Sequence, residues 1–227
     1  MELNGRDKLS KYIYYETELG ILLHGDCLEI LPLITEPVDL VLTDPPYGIG
    51  IDGSDESLKN GVQVRKAYEW GGWDNSIPDK DIFIMINKLS KNQIYCGANY
   101  FNEYLRQGFK GWVIWDKAQR GLTMSDCEII YTSFDKPTRI ITIHRSILWA
   151  EKPEHPTQKP IKLFLELLNM FSLCNDLILD SFFGSGTTGL ACEKLNRRWI
   201  GIEISEKYCA IAKKRIEIEA NQLKLFK

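Results

Sequence analysis

Short apolar runs alternate with longer amphipathic segments along most of this 227-residue chain. The short runs predict strands, and the longer segments predict helices because their apolar residues recur every three or four positions. Strands that alternate with helices favour an α/β fold, a mostly parallel sheet with helices on both faces. The predicted strands are 19–24, 38–43, 93–97, 111–115, 128–133, 139–144, 177–179 and 199–204, and the predicted helices are 159–171, 187–195 and a segment from 205 onward.

The chain is long enough to bury a large core, and it contains no internal repeat or low-complexity tract. We therefore predict a single domain over residues 1–227. Residues 50–76 are rich in glycine, serine and aspartate without a clear periodicity, so we expect them to form a mobile loop.

Composition narrows the class of protein. The chain is 44% hydrophobic and 26% charged, as in ordinary globular proteins, and no apolar run approaches the roughly 20 residues that span a bilayer. The charged N-terminus lacks the apolar core of a signal peptide, so we expect a cytoplasmic protein without membrane contact.

A net charge of -3 argues mildly against nucleic-acid binding. Residues 61–227, however, carry 24 basic and 19 acidic side chains, so a basic face is compatible with the sequence.

The six cysteines, at positions 27, 96, 127, 174, 192 and 209, form no C-x-x-C pair and lie apart from the three histidines. This spacing predicts buried free thiols rather than disulfides or a metal site.

The segment Thr43-Asp44-Pro45-Pro46-Tyr47-Gly48 directly follows the apolar run 38–42. Proline fixes φ and has no amide hydrogen, so the strand must end at Asp44. The Asp44 carboxylate and the Pro45 carbonyl are then held in a rigid corner of hydrogen-bond acceptors, beside the ring of Tyr47. Such a corner suits a planar group that carries N–H donors.

A second motif, DSFFGSGTTGLA at 180–191, follows the apolar run 177–179. Its glycines at 184, 186 and 189 match a dinucleotide-binding turn, a pattern that is weak alone. The nucleotide phosphate-loop pattern also aligns, but its required lysine and hydroxyl residue are missing. Glycines let a bound molecule approach the backbone, and the N-terminus of the next helix favours an anion. Because Glu203 ends the next strand, where an acid can accept ribose hydroxyl hydrogens, we expect an adenosine-type ligand.

The D-P-P-Y corner together with the downstream D-x-F-x-G-S-G-T loop resembles the amino-methyltransferases of DNA. That family uses S-adenosylmethionine to methylate the exocyclic amine of adenine (N6) or cytosine (N4). The corner precedes the loop, which is the circularly permuted β-class order, and the resemblance spans residues 19–216. It implies a Rossmann-like methyltransferase fold, S-adenosylmethionine as cofactor and double-stranded DNA as substrate. A homodimer and a cognate restriction enzyme are further partners that it implies.

The resemblance also implies roles for individual residues. The catalytic motif is Asp44, Pro45, Pro46 and Tyr47. The implied cofactor contacts lie in HGDCLEIL, in HPTQKP and around the glycine loop: Asp26, Cys27, Thr157, Lys159, Asp180, Phe182, Gly184, Ser185, Gly186, Thr187 and Glu203. Of these, Asp26 contacts the adenine, Glu203 the ribose and Lys159 the methionine carboxylate.

These roles imply a mechanism in which the target base leaves the duplex and stacks on Tyr47. Asp44 and the Pro45 carbonyl accept the two amine hydrogens, which frees the nitrogen lone pair to attack the sulfonium methyl in line. No covalent enzyme intermediate is required, so no cysteine is assigned as a nucleophile.

Several alternatives stay open at this point. A serine often leads the family's catalytic tetrapeptide in cytosine enzymes, so Asp44 favours adenine, and N4-cytosine methylation is the nearest alternative. A dehydrogenase that binds a nicotinamide cofactor at 184–189 and a DNA-binding regulator with a relic methylase fold are the others. Protein glutamine methylation is disfavoured, because those enzymes resemble the opposite motif order.

DNA contacts are expected from two segments. A short recognition segment at about 136–154 brings Arg139, His144 and Arg145 to the duplex, where arginine suits both phosphates and guanine edges. Lys66 lies in the loop after the catalytic motif and is expected to contact phosphate as that loop closes over the flipped strand.

Overall fold

Within the part of the chain that it describes, the computed structural model contains one large sheet of nine strands and a separate pair of short strands. The described residues are 4–50, 57–59, 62–65, 72, 74–121, 125–144, 146–151, 155 and 157–225. The strands are β1 (Ile13–Glu16), β2 (Gly20–His24), β3 (Val38–Thr43), β4 (Ser57–Lys59), β5 (Val62–Arg65), β6 (Ser90–Tyr95), β7 (Trp112–Asp116), β8 (Cys127–Thr132), β9 (Arg139–Thr142), β10 (Leu177–Asp180) and β11 (Arg198–Glu203).

The helices flank this sheet or connect its strands. They are α1 (Arg6–Leu9), α2 (Cys27–Ile30), α3 (Lys80–Leu89), α4 (Ser146–Ala150), α5 (Ile161–Phe171), α6 (Thr187–Leu195) and α7 (Glu206–Leu225). Among the helices of the described residues, none is both long and apolar enough to cross a membrane.

The large sheet has the order β1-β2-β11-β10-β3-β6-β8-β7-β9. Its five central strands, β2, β11, β10, β3 and β6, all run parallel to one another. At the edges, β1 runs antiparallel to β2, and β8 runs antiparallel to both β6 and β7. The predicted α/β architecture, mostly parallel and permuted, is therefore confirmed.

The chain leaves β3 and β10 in opposite directions along the sheet. Helix α3 leads from β3 to β6, whereas α6 leads from β10 to β11. Because β3 and β10 are neighbours, a crevice opens between them at the carboxyl ends of the strands, which is where ligands bind in open α/β sheets. The strand order thus brings the predicted catalytic corner, after β3, beside the predicted glycine loop, after β10.

Helices cover both faces of the sheet, so the central strands are buried on both sides. In β3, Leu40 and Leu42 pack into a core with α5, α6 and α7, while Val38 and Val41 pack into a second core with α2 and α3. A strand buried on both faces is a continuous apolar run rather than an alternating one, which is why the sequence predicts β3 with its observed bounds.

Two features of the fold differ from the predictions. Within residues 50–76, where a mobile loop is expected, β4 and β5 pair as an antiparallel ribbon that the sequence did not predict; residues 51–56, 60–61, 66–71 and 73 lie outside the described residues, and the mobility of the loop stays a prediction. The four buried cysteines, 27, 96, 192 and 209, agree with the prediction, whereas Cys127 and Cys174 are exposed. Cys127 is the first residue of β8 and Cys174 lies in the turn after α5. Both therefore lie at the ends of elements rather than between the sheet and its helices.

Candidate active site

A cavity of about 400 Å³ opens at the carboxyl edge of the central strands. Its lining includes the four residues of the predicted catalytic motif and ten of the eleven predicted cofactor residues. The exception is Gly186, which takes a φ of +79° directly before α6, a conformation that favours glycine. The fold therefore gathers two motifs more than 130 residues apart into one concave site, whose volume suits a ligand of drug size.

The catalytic corner is held by hydrogen bonds from three directions. The Thr43 hydroxyl donates to Asp180 Oδ1 at 2.6 Å, which ties β3 to β10. The Tyr47 hydroxyl donates to Asp44 Oδ1 at 2.6 Å. Asp74 is almost fully buried, and its Oδ1 accepts from the amides of Tyr47 and Gly48 at 2.8 and 2.9 Å. These contacts fix a turn in which two prolines already limit backbone freedom.

The ring of Tyr47 lies in a stack with the ring of Tyr100, with centroids 4.6 Å apart and planes 9° apart. Gly97, just after β6, has a φ of +64°, and a Cβ there would lie 2.1 Å from the Tyr47 ring. Gly97 is thus required both for its own backbone conformation and for the position of Tyr47. In this structure one face of Tyr47, the predicted stacking platform, is covered by Tyr100.

Buried charges surround Asp44. The Lys159 ammonium pairs with Asp44 Oδ2 and lies 3.4 Å from Glu128 Oε1. Burial lowers the pKa of Lys159, but the carboxylates of Asp44 and Glu128 outweigh burial and hold this pKa above its usual range. Lys159 therefore stays an ammonium group. Lys117 lies 3.7 Å from the other oxygen of Glu128.

Asp44, Cys96 and Glu128 place ligand atoms within 4.8 Å of one another, a spacing that could hold a metal ion. The ammonium of Lys159 already pairs with two of the three. Burial raises the pKa of the Cys96 thiol well above its usual range, so it stays protonated and is a poor metal ligand. The geometry favours an organic cation, Lys159, over a metal.

The glycine loop between β10 and α6 is held from both sides. Arg215 on α7 donates to the Ser185 carbonyl at 2.6 Å, and the Ser185 hydroxyl donates to Gln158 at 3.0 Å. Below the loop, Asp180 accepts from Thr188 and from the amide of Phe182. Burial raises the pKa of Asp180 to about 6 despite these donors.

Glu203 ends β11 beside this loop. Its oxygens accept from the amides of Gly184 and Ser205 at 2.7 and 2.8 Å. Burial raises the pKa of Glu203 to about 7, although both amides oppose the shift. A carboxylate offers about four acceptor positions, so Glu203 can still accept a hydroxyl hydrogen from a ligand.

The remaining predicted cofactor residues also line the cavity. Asp26 accepts from the Leu28 amide at 2.8 Å and caps α2, and Cys27 is buried, which raises the pKa of its thiol to about 12. In HPTQKP, Thr157 donates its amide to Nδ1 of His155. Burial, with Lys159 and Arg215 nearby, lowers the pKa of His155 to about 3, so this imidazole is neutral.

The predicted DNA-contacting residues are placed only in part. Because β7 and β9 run parallel to the central strands, Arg139 begins β9 at the edge away from the cavity, and His144 follows β9 at the cavity edge. The structure therefore separates these two residues along the strand instead of grouping them. His144 is exposed and contacts Ser146 through Nδ1 at 2.7 Å. Arg145 and Lys66 lie outside the described residues.

Sequence reasoning missed three residues of this site: Asp74, Glu128 and Arg215. Asp74 lies within the segment 50–76, which has no clear periodicity, and Glu128 reaches the site only because β8 is antiparallel to its neighbour β6. Arg215 comes from a charged helix whose register against the glycine loop depends on packing. No local pattern identifies any of them.

A protein-family model described as DNA methylase matches residues 144–214. The type II methyltransferase M2.LlaDCHI of Lactococcus lactis subsp. cremoris is 31% identical, covering 89% of this chain and 91% of that protein. M2.DpnII of Streptococcus pneumoniae, another type II methyltransferase, is 30% identical, covering 91% of this chain and 92% of that protein.

Two solved structures share the fold. M1.HpyAVI in complex with SAM superposes with a TM-score of 0.61 at 23% identity, covering 87% of this chain and 99% of that one. The cytosine-N4-specific PvuII DNA methyltransferase superposes with a TM-score of 0.60 at 19% identity, covering 93% of this chain and 95% of that one. At these identities the likeness is one of fold.

Proposed function

Since the chain belongs to the type II DNA methyltransferase family, we propose that it methylates the exocyclic N6 amine of adenine in double-stranded DNA. Methyltransferases of this family take the methyl group from S-adenosylmethionine. One observation carries the proposal: the Asp44 corner and the Gly184–Glu203 region open into the same cavity, so the methyl donor and the acceptor amine can meet there.

The lining of the cavity fits the cofactor. Glu203 and the glycine loop lie side by side in the lining, as an adenosine moiety requires. The Ser181 hydroxyl, also in the lining, is buried and has no hydrogen-bond partner among the described residues. A buried polar group of this kind is normally paired, so it suits a polar ligand. S-adenosylmethionine supplies an electrophilic methyl group on its sulfonium sulfur.

The chain's own residues prepare the acceptor. Asp44 and the Pro45 carbonyl accept the two hydrogens of the exocyclic amine and draw the nitrogen towards tetrahedral geometry. A hydrogen bond to a charged acceptor contributes roughly 1.5 to 3 kcal/mol, or about ten- to a hundred-fold in rate when it forms only in the transition state. The base must leave the duplex to reach this corner, and Tyr47 is the proposed stacking surface for it.

Adenine is proposed over cytosine because an aspartate, Asp44, leads the tetrapeptide where cytosine enzymes often carry serine. N4-cytosine methylation is the second candidate, since a cytosine-N4-specific enzyme shares this fold. The N6 amine of adenine and the N4 amine of cytosine each present two hydrogens. The acceptors of the Asp44 corner can therefore bind either amine.

Contacts to DNA are proposed from the cavity edge that carries His144, with Arg145 beside it in sequence and Lys66 in the loop after the catalytic motif. Arg139 lies at the other end of β9 and is proposed to contact backbone phosphate there. Self-association and a cognate restriction enzyme are further proposals, and the type II names of the relatives support the second by analogy.

Incubation with labelled S-adenosylmethionine and unmodified DNA, followed by nucleoside analysis, tests the proposal. The expected product is N6-methyladenine at one short sequence. N4-methylcytosine would overturn the choice of base, and duplex binding without any methyl transfer would overturn the assignment of an enzyme.

A further inference from the structure

The catalytic corner includes a charge arrangement that its sequence motif does not reveal. Lys159 is buried, with 7% of its side chain exposed, and its ammonium lies between the carboxylates of Asp44 and Glu128. The Tyr47 hydroxyl donates to the other oxygen of Asp44. Both oxygens of Asp44 are therefore engaged by donors of the protein itself.

This arrangement sets a requirement for the reaction. An amine that binds to Asp44 must compete with Lys159 for the carboxylate. A buried ammonium that loses its only counter-ion is strongly disfavoured, because its lost hydration is no longer offset. If Asp44 were its sole partner, Lys159 would not readily give up the Asp44 carboxylate to the incoming amine.

Glu128 supplies the second partner. Its Oε1 lies 3.4 Å from the Lys159 ammonium and 3.2 Å from the Tyr47 hydroxyl, while its Oε2 faces Lys117 at 3.7 Å. Only 10% of the Glu128 side chain is exposed. A small shift of Lys159 towards Glu128 keeps the ammonium paired and releases one oxygen of Asp44.

We propose that Glu128 is a positioning residue, which holds the Lys159 ammonium while Asp44 engages the exocyclic amine of the target base. The inference rests on the proposed function, since it takes Asp44 as the acceptor of the amine hydrogens. Lys117 keeps the Glu128 carboxylate in place at the start of β8, a rigid element that pairs with β7 through Trp115.

The first test is Glu128→Gln, which keeps the shape of the side chain and removes its charge. Single-turnover methyl transfer at saturating DNA and labelled S-adenosylmethionine should slow at least ten-fold. The dissociation constant for S-adenosylhomocysteine should change less than two-fold by calorimetry. Glu166→Gln, the same substitution on the exposed side of α5, is the matched control and should retain the parental rate.

A double-mutant cycle distinguishes a positioning role of Glu128, exerted through Lys159, from a merely structural role. If Glu128 acts through Lys159, then Glu128→Gln should change the rate less than two-fold in a Lys159→Gln background, whatever Lys159→Gln does alone. Single-turnover measurement with excess enzyme follows rates that are slower by several orders of magnitude. An equal loss in both backgrounds would overturn the proposal.

Glu128→Asp keeps the charge and covers the case in which Glu128→Gln does not fold. It should lose less than three-fold in rate, and a loss above ten-fold with cofactor affinity and melting temperature intact would reject the role. Unchanged turnover of Glu128→Gln would reject it as well. Neither result touches the proposed function, which fails separately if the parental protein binds duplex DNA but transfers no methyl group to it.

Discussion

The hydroxyl of Thr43 donates a 2.6 Å hydrogen bond to the carboxylate of Asp180, across 137 positions of sequence. Thr43 is the last residue of β3 and Asp180 the last of β10, so this bond ties the strand of the catalytic corner to the strand of the glycine loop. Both side chains are buried, and their contact fixes how the two halves of the site face each other.

Thr43→Val should destabilise the fold by about 1 to 3 kcal/mol, because Asp180 loses a buried donor while the shape of residue 43 is kept. The free energy of unfolding in urea measures the change. Ser181→Ala is the control, since the Ser181 hydroxyl is buried without a partner among the described residues, and it should leave that free energy nearly unchanged. Equal losses in the two variants would show that the Thr43–Asp180 bond is not the cause.

Asp44→Ala should lower methyl transfer about ten- to 100-fold, since the amine loses its charged acceptor. Lys159 keeps Glu128 as a counter-ion, so the fold and the affinity for S-adenosylhomocysteine should persist. Single-turnover kinetics and calorimetry measure the two effects separately. Turnover within a few-fold of the parent would remove Asp44 from the mechanism.

Glu203 predicts a pH dependence of cofactor binding. Burial raises its pKa to about 7, so in the free protein the carboxylate is mostly protonated at pH 6 and mostly ionised at pH 8. The ionised form is the stronger acceptor for ribose hydroxyls, and affinity should therefore rise as pH increases through 7. Between pH 6 and pH 8 the ionised fraction grows about ten-fold, which bounds the gain in affinity for S-adenosylhomocysteine.

Glu203→Gln provides the comparison for this titration. Glutamine at position 203 cannot ionise. The affinity of this variant for S-adenosylhomocysteine should therefore be weaker than the parental affinity at pH 8. Between pH 6 and pH 8 that affinity should lack the part of the rise that comes from ionisation of Glu203. Calorimetry at both pH values gives the difference between the two proteins. Parallel pH profiles would reject Glu203 as the titrating group.

Gly97→Ala should displace the ring of Tyr47, because the new Cβ would lie 2.1 Å from it. The positive φ adds a backbone cost of roughly 1 to 2 kcal/mol. Gly108→Ala isolates that cost, since Gly108 also has a positive φ but nothing lies within 4 Å of its added Cβ. Both variants should melt at a lower temperature, and only Gly97→Ala should also lose methyl transfer per folded molecule.

Lys66→Ala and Arg145→Ala should separate phosphate contact from base reading. Lys66→Ala should weaken binding to all duplexes and reduce the salt slope by about one unit, whereas Arg145→Ala should relax sequence preference by roughly 1 to 3 kcal/mol. Duplex affinity across a salt series, with cognate and scrambled sites, distinguishes the two. Parental values for both variants would place recognition elsewhere.

The sequence predicted most of the sheet because the central strands are buried on both faces and appear as apolar runs. The bounds of β3 and of α6 agree with the prediction residue for residue. The prediction did not identify β1 or α3: β1 is a four-residue edge strand, and the apolar positions of α3 lie within a short segment after an irregular one. Local patterns of that length do not separate a helix or a strand from a loop.

Sequence alone determined the fold class and the two motifs, because proline and glycine act on the backbone at their own positions and apolar periodicity acts on its own segment. The charge partners of those motifs were decided by tertiary structure. Asp44 follows the carboxyl end of β3, and Glu128 lies at the start of the antiparallel β8, so both reach the same edge of the sheet, where each meets Lys159. An ion pair depends on the distance between atoms in space, and strand order and direction, rather than any local pattern, set that distance.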